Sequence, residues 1–375
     1  MRKKNLFGGF PGARLIGKEE LAAVAKVIKA RSPYRFYGLD LQKEAEALEA
    51  LCRRLFSRRY ALALSSGTAA LHAALFSAGV SKGDEVVIPA YAWSSDIMAV
   101  LALGACPVIA PIDATLGFDP KTLERCITNK TKAIIAVHMR GYPCDLGWIW
   151  AVAKKRGVKV IEDGAQCIGG RIGKFPIGAL GDISIFSFQY NKLVTCGEGG
   201  VLLTNDTALY RKACRFHDLG MLRRPGKADP VGIEAMRSVG LNYRLSELQA
   251  VMLIPQLEKM PSILKRLKKN HGLAMNEISG ICEKFNLKIR KTAAGNIANY
   301  AFVCLSARDE RSAARACAAL NRFGVPVQRP SRLDGHNFQT WKDFMSREGI
   351  LFRSLEDKKS TDILKRALYV EINSA

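Results

Sequence analysis

From about residue 60 to residue 205, short apolar runs alternate with stretches of helical period. Seven of the runs read as strands: 60–64, 85–88, 107–112, 132–138, 158–162, 183–188 and 200–204. Several are almost continuously apolar, which is the signature of strands covered on both faces. Between them, helices are predicted over 68–78, 94–103, 120–126 and 146–155, the last stopped by Gly157. Strand–helix–strand repetition predicts an α/β fold, with a mostly parallel seven-stranded sheet between helix layers. The link from 183–188 to 200–204 is short and admits one antiparallel strand.

Beyond residue 245 the pattern changes. Long helices are expected over 245–253 and 263–278, broken by Pro255 and Pro261. A strand over 299–305, an Ala-rich helix over 310–323 stopped by Gly324, and a strand over 325–328 complete a small C-terminal α+β domain. The expected division is a large domain of residues 1–255 and a small one of residues 256–375.

Composition narrows the class. The chain has 375 residues, 48% of them hydrophobic and 24% charged, as in a soluble globular protein of more than one core. No apolar segment follows the basic start Met1-Arg-Lys-Lys-Asn, and the uncharged run 97–112 is too short and too rich in Gly and Pro for a membrane span. Ten scattered cysteines without a CxxC pair suit reduced thiols and a cytoplasmic location, and no Cys/His cluster has metal-ligand spacing. The net charge of +23 is spread along the chain without an aromatic-interleaved basic motif, which argues against nucleic acid. An anionic substrate and a merely solvated basic surface both fit it.

Four polar clusters follow strands, where ligands bind in open α/β sheets. Ser65-Ser66-Gly67-Thr68 precedes a helix and serves either as a phosphate cradle or as a plain N-cap. Glu162-Asp163-Gly164-Ala165-Gln166 places carboxylates at a strand end, where they meet either a protonated ring nitrogen or a helix terminus. Lys192 follows Phe186-Ser-Phe-Gln-Tyr-Asn and precedes Gly197-Glu-Gly-Gly200. Desolvation there would make it an amine nucleophile, and exposure would leave it an ordinary hairpin lysine. Trp93, after 85–88, either stacks on a planar ring or packs in the core. Each cluster is weak alone. Together they offer a phosphate cradle, a ring stack, a ring-nitrogen carboxylate and an amine, the set that pyridoxal phosphate requires.

With these motifs the sequence resembles the DegT/DnrJ/EryC1/StrS group of fold-type I aminotransferases, which act on keto-sugars and cyclitols. The likeness covers nearly the whole chain. It runs from Leu15-Ile-Gly-Lys-Glu-Glu20 and Tyr34-Arg-Phe-Tyr-Gly38, through Ser66-Gly-Thr-Ala-Ala-Leu71, Gly83-Asp-Glu-Val-Val-Ile-Pro89 and the Asp163, Gln166, Lys192 and Gly197–Gly200 motifs, to Gly240-Leu-Asn-Tyr-Arg-Leu-Ser-Glu-Leu248. The resemblance implies pyridoxal 5'-phosphate as cofactor. Lys192 would be the Schiff-base lysine and proton shuttle, Asp163 the partner of the pyridine nitrogen, and Gln166 the neighbour of the ring hydroxyl. Trp93 would stack on the ring, and Gly67, Thr68 and Ser187 would hold the phosphate. Asn242 would reach the phosphate in a neighbouring subunit, which implies a homodimer with shared sites. Glutamate or glutamine would donate nitrogen to a keto-sugar, nucleotide-linked or free, or to a cyclitol, in sugar or polysaccharide biosynthesis. Dehydratases of this group carry His in place of the lysine, so Lys192 argues against that alternative. The cofactor residues argue against a non-catalytic regulatory relative.

Four positions depart from the commoner pattern: Gly164 where Ala is usual, Ala92 where Thr is frequent, and Arg140 and Tyr142 in the His138-Met-Arg-Gly-Tyr-Pro-Cys-Asp145 run. The last two fit either a substrate pocket or an ordinary surface loop.

Overall fold

A computed structural model describes residues 6–223, 238–330, 335–355 and 358–374. The seven expected strands are present as β1 (Tyr60–Leu64), β2 (Glu85–Pro89), β3 (Cys106–Ala110), β4 (Thr131–Val137), β5 (Lys159–Asp163), β6 (Ile183–Ser187) and β7 (Gly200–Thr204). They form one sheet in the order β1-β7-β6-β5-β4-β2-β3, extended beside β3 by a two-residue eighth strand, Arg353–Ser354. Every residue of β2, β3 and β7 is buried, so their apolar runs report cover on both faces. The strands β2 to β6 pair in parallel, and β7 runs antiparallel to both β1 and β6. A parallel pairing needs a crossover, which the short link from β6 to β7 does not supply.

Helices Gly67–Ser77, Ser94–Ala102 and Thr207–His217 cover one face around Leu71, Ile97, Val100 and Phe216. On the other side Leu48, Phe56, Phe186 and Phe188 join a core that follows helix Glu247–Lys284 to Ile278, Val303 and Val370. That helix corrects the expected break at Pro255 and Pro261, since it runs through both. Each proline removes one backbone donor. The buried stripe Ala250, Leu253, Leu257, Met260 and Ile263 packs across both positions and keeps the helix continuous. Beyond it, Lys288–Ile289, Phe302–Ser306, Ala367–Glu371 and Val327–Gln328 form an antiparallel sheet beside helix Glu310–Arg322. All ten cysteines are free and eight are buried. Among the described residues no helix is long and apolar enough to cross a membrane.

Strand alternation in β5 sends its two terminal carboxylates to opposite faces. Glu162 is fully buried and accepts from Gly178 N–H at 2.7 Å, Gly181 N–H at 2.9 Å, Leu180 N–H at 3.1 Å and the Ser184 hydroxyl at 2.8 Å. Cys144 N–H donates to His138 Nδ1 at 3.0 Å, which leaves the ring proton on Nε2 to be donated to Glu162 Oε1 at 3.2 Å. Burial opposes ionisation of Glu162, but the His138 and backbone donors pull its carboxyl down to about 2. The buried Arg58 guanidinium braces the same loop by donating to Gly178 O and Gly181 O at 2.7 and 2.6 Å.

Glu162→Ala would strand these donors in a dry interior. It is expected to cost about 3–5 kcal/mol, read as a lower urea midpoint. The Glu162 contribution is complete above the ordinary glutamate range and is lost as pH falls through about 2. An unchanged midpoint in Glu162→Ala would contradict this reading.

Candidate active site at the strand ends

The turn after β1 is tied down by Ser65 N–H, which donates to Tyr243 O at 2.8 Å. Ser66 caps the following helix by accepting Ala69 N–H at 3.0 Å. Gly67 and Thr68 thus open the helix, where backbone N–H groups and the helix dipole favour an anion. Gly67 permits a close approach of two strand ends. A Cβ there would lie 2.6 Å from Ser187 Cβ, at the end of β6. Gly200 likewise lets β7 approach the Ser66 backbone, so this glycine serves strand packing. The start of this helix, Gly67 and Thr68, therefore lies at the end of β6, where Gly67 meets Ser187.

Lys192 lies in the loop from β6 to β7, with its N–H donating to Gln189 O at 2.9 Å. Its carbonyl accepts Gly12 N–H at 3.1 Å, and a Cβ on Gly12 would come within 2.7 Å of that oxygen. The N-terminal segment thus closes over the loop. Burial pushes the Lys192 amine below the ordinary lysine range, Asp163 opposes the shift and Arg140 adds to it. This is a partly buried amine in a charged setting, not the exposed hairpin lysine of the alternative reading.

Asp163 ends β5 on the face away from the Glu162 lock and is buried. Its Oδ1 accepts Ala165 N–H at 2.8 Å. Burial raises its carboxyl above the usual aspartate range, while Ala165 N–H and the Lys192 charge work against the rise. The carboxyl of Asp96 lies within hydrogen-bonding reach of it. Asp96 was not a sequence candidate. Its local pattern, three residues past Trp93, marks only a capping position, and its Oδ2 does accept Trp93 N–H at 3.2 Å. The one signal was a charged residue opening an otherwise apolar helix.

Trp93 is 44% exposed and its ring centroid stands 4.6 Å from that of His336. Gln166 Oε1 accepts Arg140 N–H at 3.2 Å, and its Nε2 lies 3.1 Å from His336 Nε2. Arg140 has a left-handed backbone with φ of 55° and is buried. Its guanidinium lies 3.8 Å from the Tyr369 ring centroid, and its Nε donates to Tyr91 Oη at 3.2 Å. Tyr142 is also buried, beneath Arg290 at 4.7 Å. Both side chains are therefore interior, Arg140 beside Gln166 and Tyr142 against Cys304 and Tyr369, which excludes the surface-loop alternative. Sequence reasoning missed His336, Asn299 and Glu371. Asn299 donates its amide to Ile168 O at 3.2 Å and accepts Ala301 N–H at 3.1 Å, bracing the Gln166 turn from the C-terminal half. Burial raises Glu371 to about 7 against the opposing charges of Arg140 and Arg14. Asn242 is exposed on the surface beside the β1 turn, its backbone bridged to Asp218. Among the described residues there is no Cys/His/carboxylate cluster suited to a metal ion.

The DegT/DnrJ/EryC1/StrS aminotransferase family matches residues 15–330. The chain belongs to this family. GDP-perosamine synthase of Escherichia coli O157:H7 is 37% identical over 227 residues, a stretch that spans 60% of this chain and 60% of that synthase. The X-ray structure of the aminotransferase from Psychrobacter cryohalolentis superposes with a TM-score of 0.85 at 26% identity, covering 98% of this chain and 94% of that one. The E. coli GDP-4-keto-6-deoxy-D-mannose-3-dehydratase with bound hydrated PLP has a TM-score of 0.83 over 99% of this chain and 96% of that one. Its identity is 20%, so that likeness is one of fold. The family member described here has a reason for Gly164 in place of the usual Ala. A Cβ at Gly164 would lie 2.5 Å from the Phe186 ring, which is fully buried and stacked on Phe56.

Competitive acetylation across pH, read by peptide mapping, is expected to titrate Lys192 at lower pH than the exposed lysines. Asp163→Ala removes the opposing charge and should lower that midpoint further. A Lys192 midpoint equal to those of the exposed lysines would contradict the assigned environment.

Proposed function

We propose that this chain is a pyridoxal-phosphate-dependent aminotransferase that moves an amino group from glutamate or glutamine to a keto-sugar. The observation that carries the reading is the desolvated Lys192 amine set against the buried carboxyl of Asp163, at the strand ends where Gly67 also meets Ser187. The residues fit the cofactor. Gly67 and Thr68 open a helix, whose free backbone N–H groups and dipole suit a phosphate. A buried carboxyl suits a protonated ring nitrogen.

When bound, the cofactor supplies a carbonyl that captures amines and a ring that withdraws the electron pair left by a departing proton. Lys192 would attach to it covalently and, as a neutral amine, take a proton from the donor's α-carbon and return one. Asp163 would keep the ring nitrogen protonated. Trp93 would cover the ring, Gln166 would meet its hydroxyl, and Gly67, Thr68 and Ser187 would hold its phosphate. The GDP-perosamine synthase relative supports a nucleotide-linked keto-sugar over a cyclitol as acceptor. The likeness to the dehydratase favours the other reaction only through fold, and Lys192 weighs against it. Two domains, 1–255 and 256–375, divided within the continuous helix Glu247–Lys284, a cytoplasmic location and a homodimer belong to the same reading.

Borohydride reduction of the cofactor-loaded protein, followed by peptide mapping, should place the pyridoxyl group on Lys192. A label on another lysine would sink the assignment. Asp163→Ala is expected to lower turnover at least about a hundredfold while circular dichroism stays native. A near-wild-type rate would remove its role.

The exposed position of Asn242 suits a contact made in trans across a two-fold axis. Mixing a Lys192→Ala chain with an Asn242→Asp chain should then restore activity. Mixed dimers would hold one site with both defects and one with neither. Heterodimers that form without regaining activity would exclude the trans contact.

A further inference from the structure

Asp96 is a fully buried acid that the reading above does not use. It opens helix Ser94–Ala102, and its Oδ2 accepts Trp93 N–H at 3.2 Å. Its Oδ1 is buried without a hydrogen-bond donor. The group within reach of it is another carboxyl, that of Asp163, whose Oδ1 already accepts Ala165 N–H at 2.8 Å. Two acceptors facing one another in a dry interior repel unless a proton lies between them. One shared proton turns the contact into a short, charge-assisted hydrogen bond and leaves the pair with a single negative charge. That charge matches one protonated ring nitrogen.

We infer that Asp96 is a positioning residue for Asp163: it holds the proton of a shared-proton carboxyl pair and donates it to Asp163, so that Asp163 presents a fixed carboxylate to the cofactor's ring nitrogen. The inference rests on the proposed cofactor, but the pair itself does not. The placement of the proton follows from the surroundings. Asp163 has the Ala165 N–H, the Lys192 charge and the Asp96 hydrogen bond to hold it ionised. Asp96 has the Trp93 N–H and the pull of Lys192, against burial and the Asp163 charge, which push its carboxyl far up. Trp93 gains a second function here. Its backbone orients the acid that orients Asp163, which links the ring-covering residue to the ring-nitrogen residue through one helix turn.

The test has two independent arms. In the first, infrared spectra of the cofactor-free protein at neutral pH should show the C=O stretch of a protonated carboxylic acid. Glu371, raised to about 7, contributes to the same region, so the Asp96 acid is read as the wild-type-minus-Asp96→Asn difference band. A wild-type spectrum without the band, or one that Asp96→Asn leaves unchanged, would overturn the inference whatever the cofactor. In the second, pyridoxal phosphate affinity is measured by equilibrium dialysis. Asp96→Asn keeps an N–H donor toward Asp163 and should bind within about threefold of wild type. Asp96→Ala lacks the donor and should bind about tenfold more weakly, with the pH profile of cofactor absorbance shifted. Equal weakening in both variants would mean that the contact is not a donated hydrogen bond, and would overturn the inference. So would wild-type affinity in Asp96→Ala. If wild type shows the band but binds no pyridoxal phosphate, the cofactor reading fails and the carboxyl pair stands. Should Asp96→Ala misfold, the band and the Asp96→Asn affinity still decide the matter.

Discussion

The site depends on keeping the Lys192 amine and the Asp163 carboxyl together in an interior from which water is largely removed. Desolvation alone would neutralise both groups, and their mutual attraction works against it. Holding that balance takes pieces from distant parts of the chain. The Gly12 segment closes on the lysine loop, helix Ser94–Ala102 supplies a second acid, and β5 carries Asp163 to the edge of the sheet. The same sheet keeps its structural and its chemical carboxylates apart. Glu162 is saturated with donors on one face, and the neighbouring Asp163 is left available on the other.

A second polar layer joins the strand ends to the C-terminal half. Arg140 lies against Tyr369 of the small sheet, and its backbone N–H meets Gln166. Gln166 in turn meets His336, which stands beside Trp93. Asn299 pins the same turn from below. The C-terminal residues therefore form a wall of the candidate pocket, and a change in that half alters the setting of Gln166 and Trp93 without touching Lys192. The left-handed backbone at Arg140 shows that the chain accepts local strain to place a guanidinium there.

How much of this was legible follows from how local each signal is. Strands buried on both faces must be apolar along their whole length, so β1 to β7 could be read directly. The residues that follow those strands had to lie at the sheet's ends, which puts Gly67, Asp163, Ser187 and Lys192 within one region on sequence grounds alone. Two local rules misled. Proline normally ends a helix, but Pro255 and Pro261 are carried inside one because buried residues pack on both sides of each. The run around Arg140 looked as much like a surface loop as a pocket, since nothing nearby in sequence reveals that Tyr369 and His336 fold over it.

The sequence by itself determined the sheet, the strand ends that carry polar groups and the residue types gathered there, because burial and hydrogen-bonding rules act over a few neighbouring positions. Only the tertiary structure decided what those groups meet. It set Asp96 against Asp163, closed Gly12 on the Lys192 loop and required Gly164 to make room for Phe186. Each of these is a contact between segments far apart in the chain. Its free energy depends on which partner the packing brings close and how much water it excludes, and neither quantity is written in a local pattern.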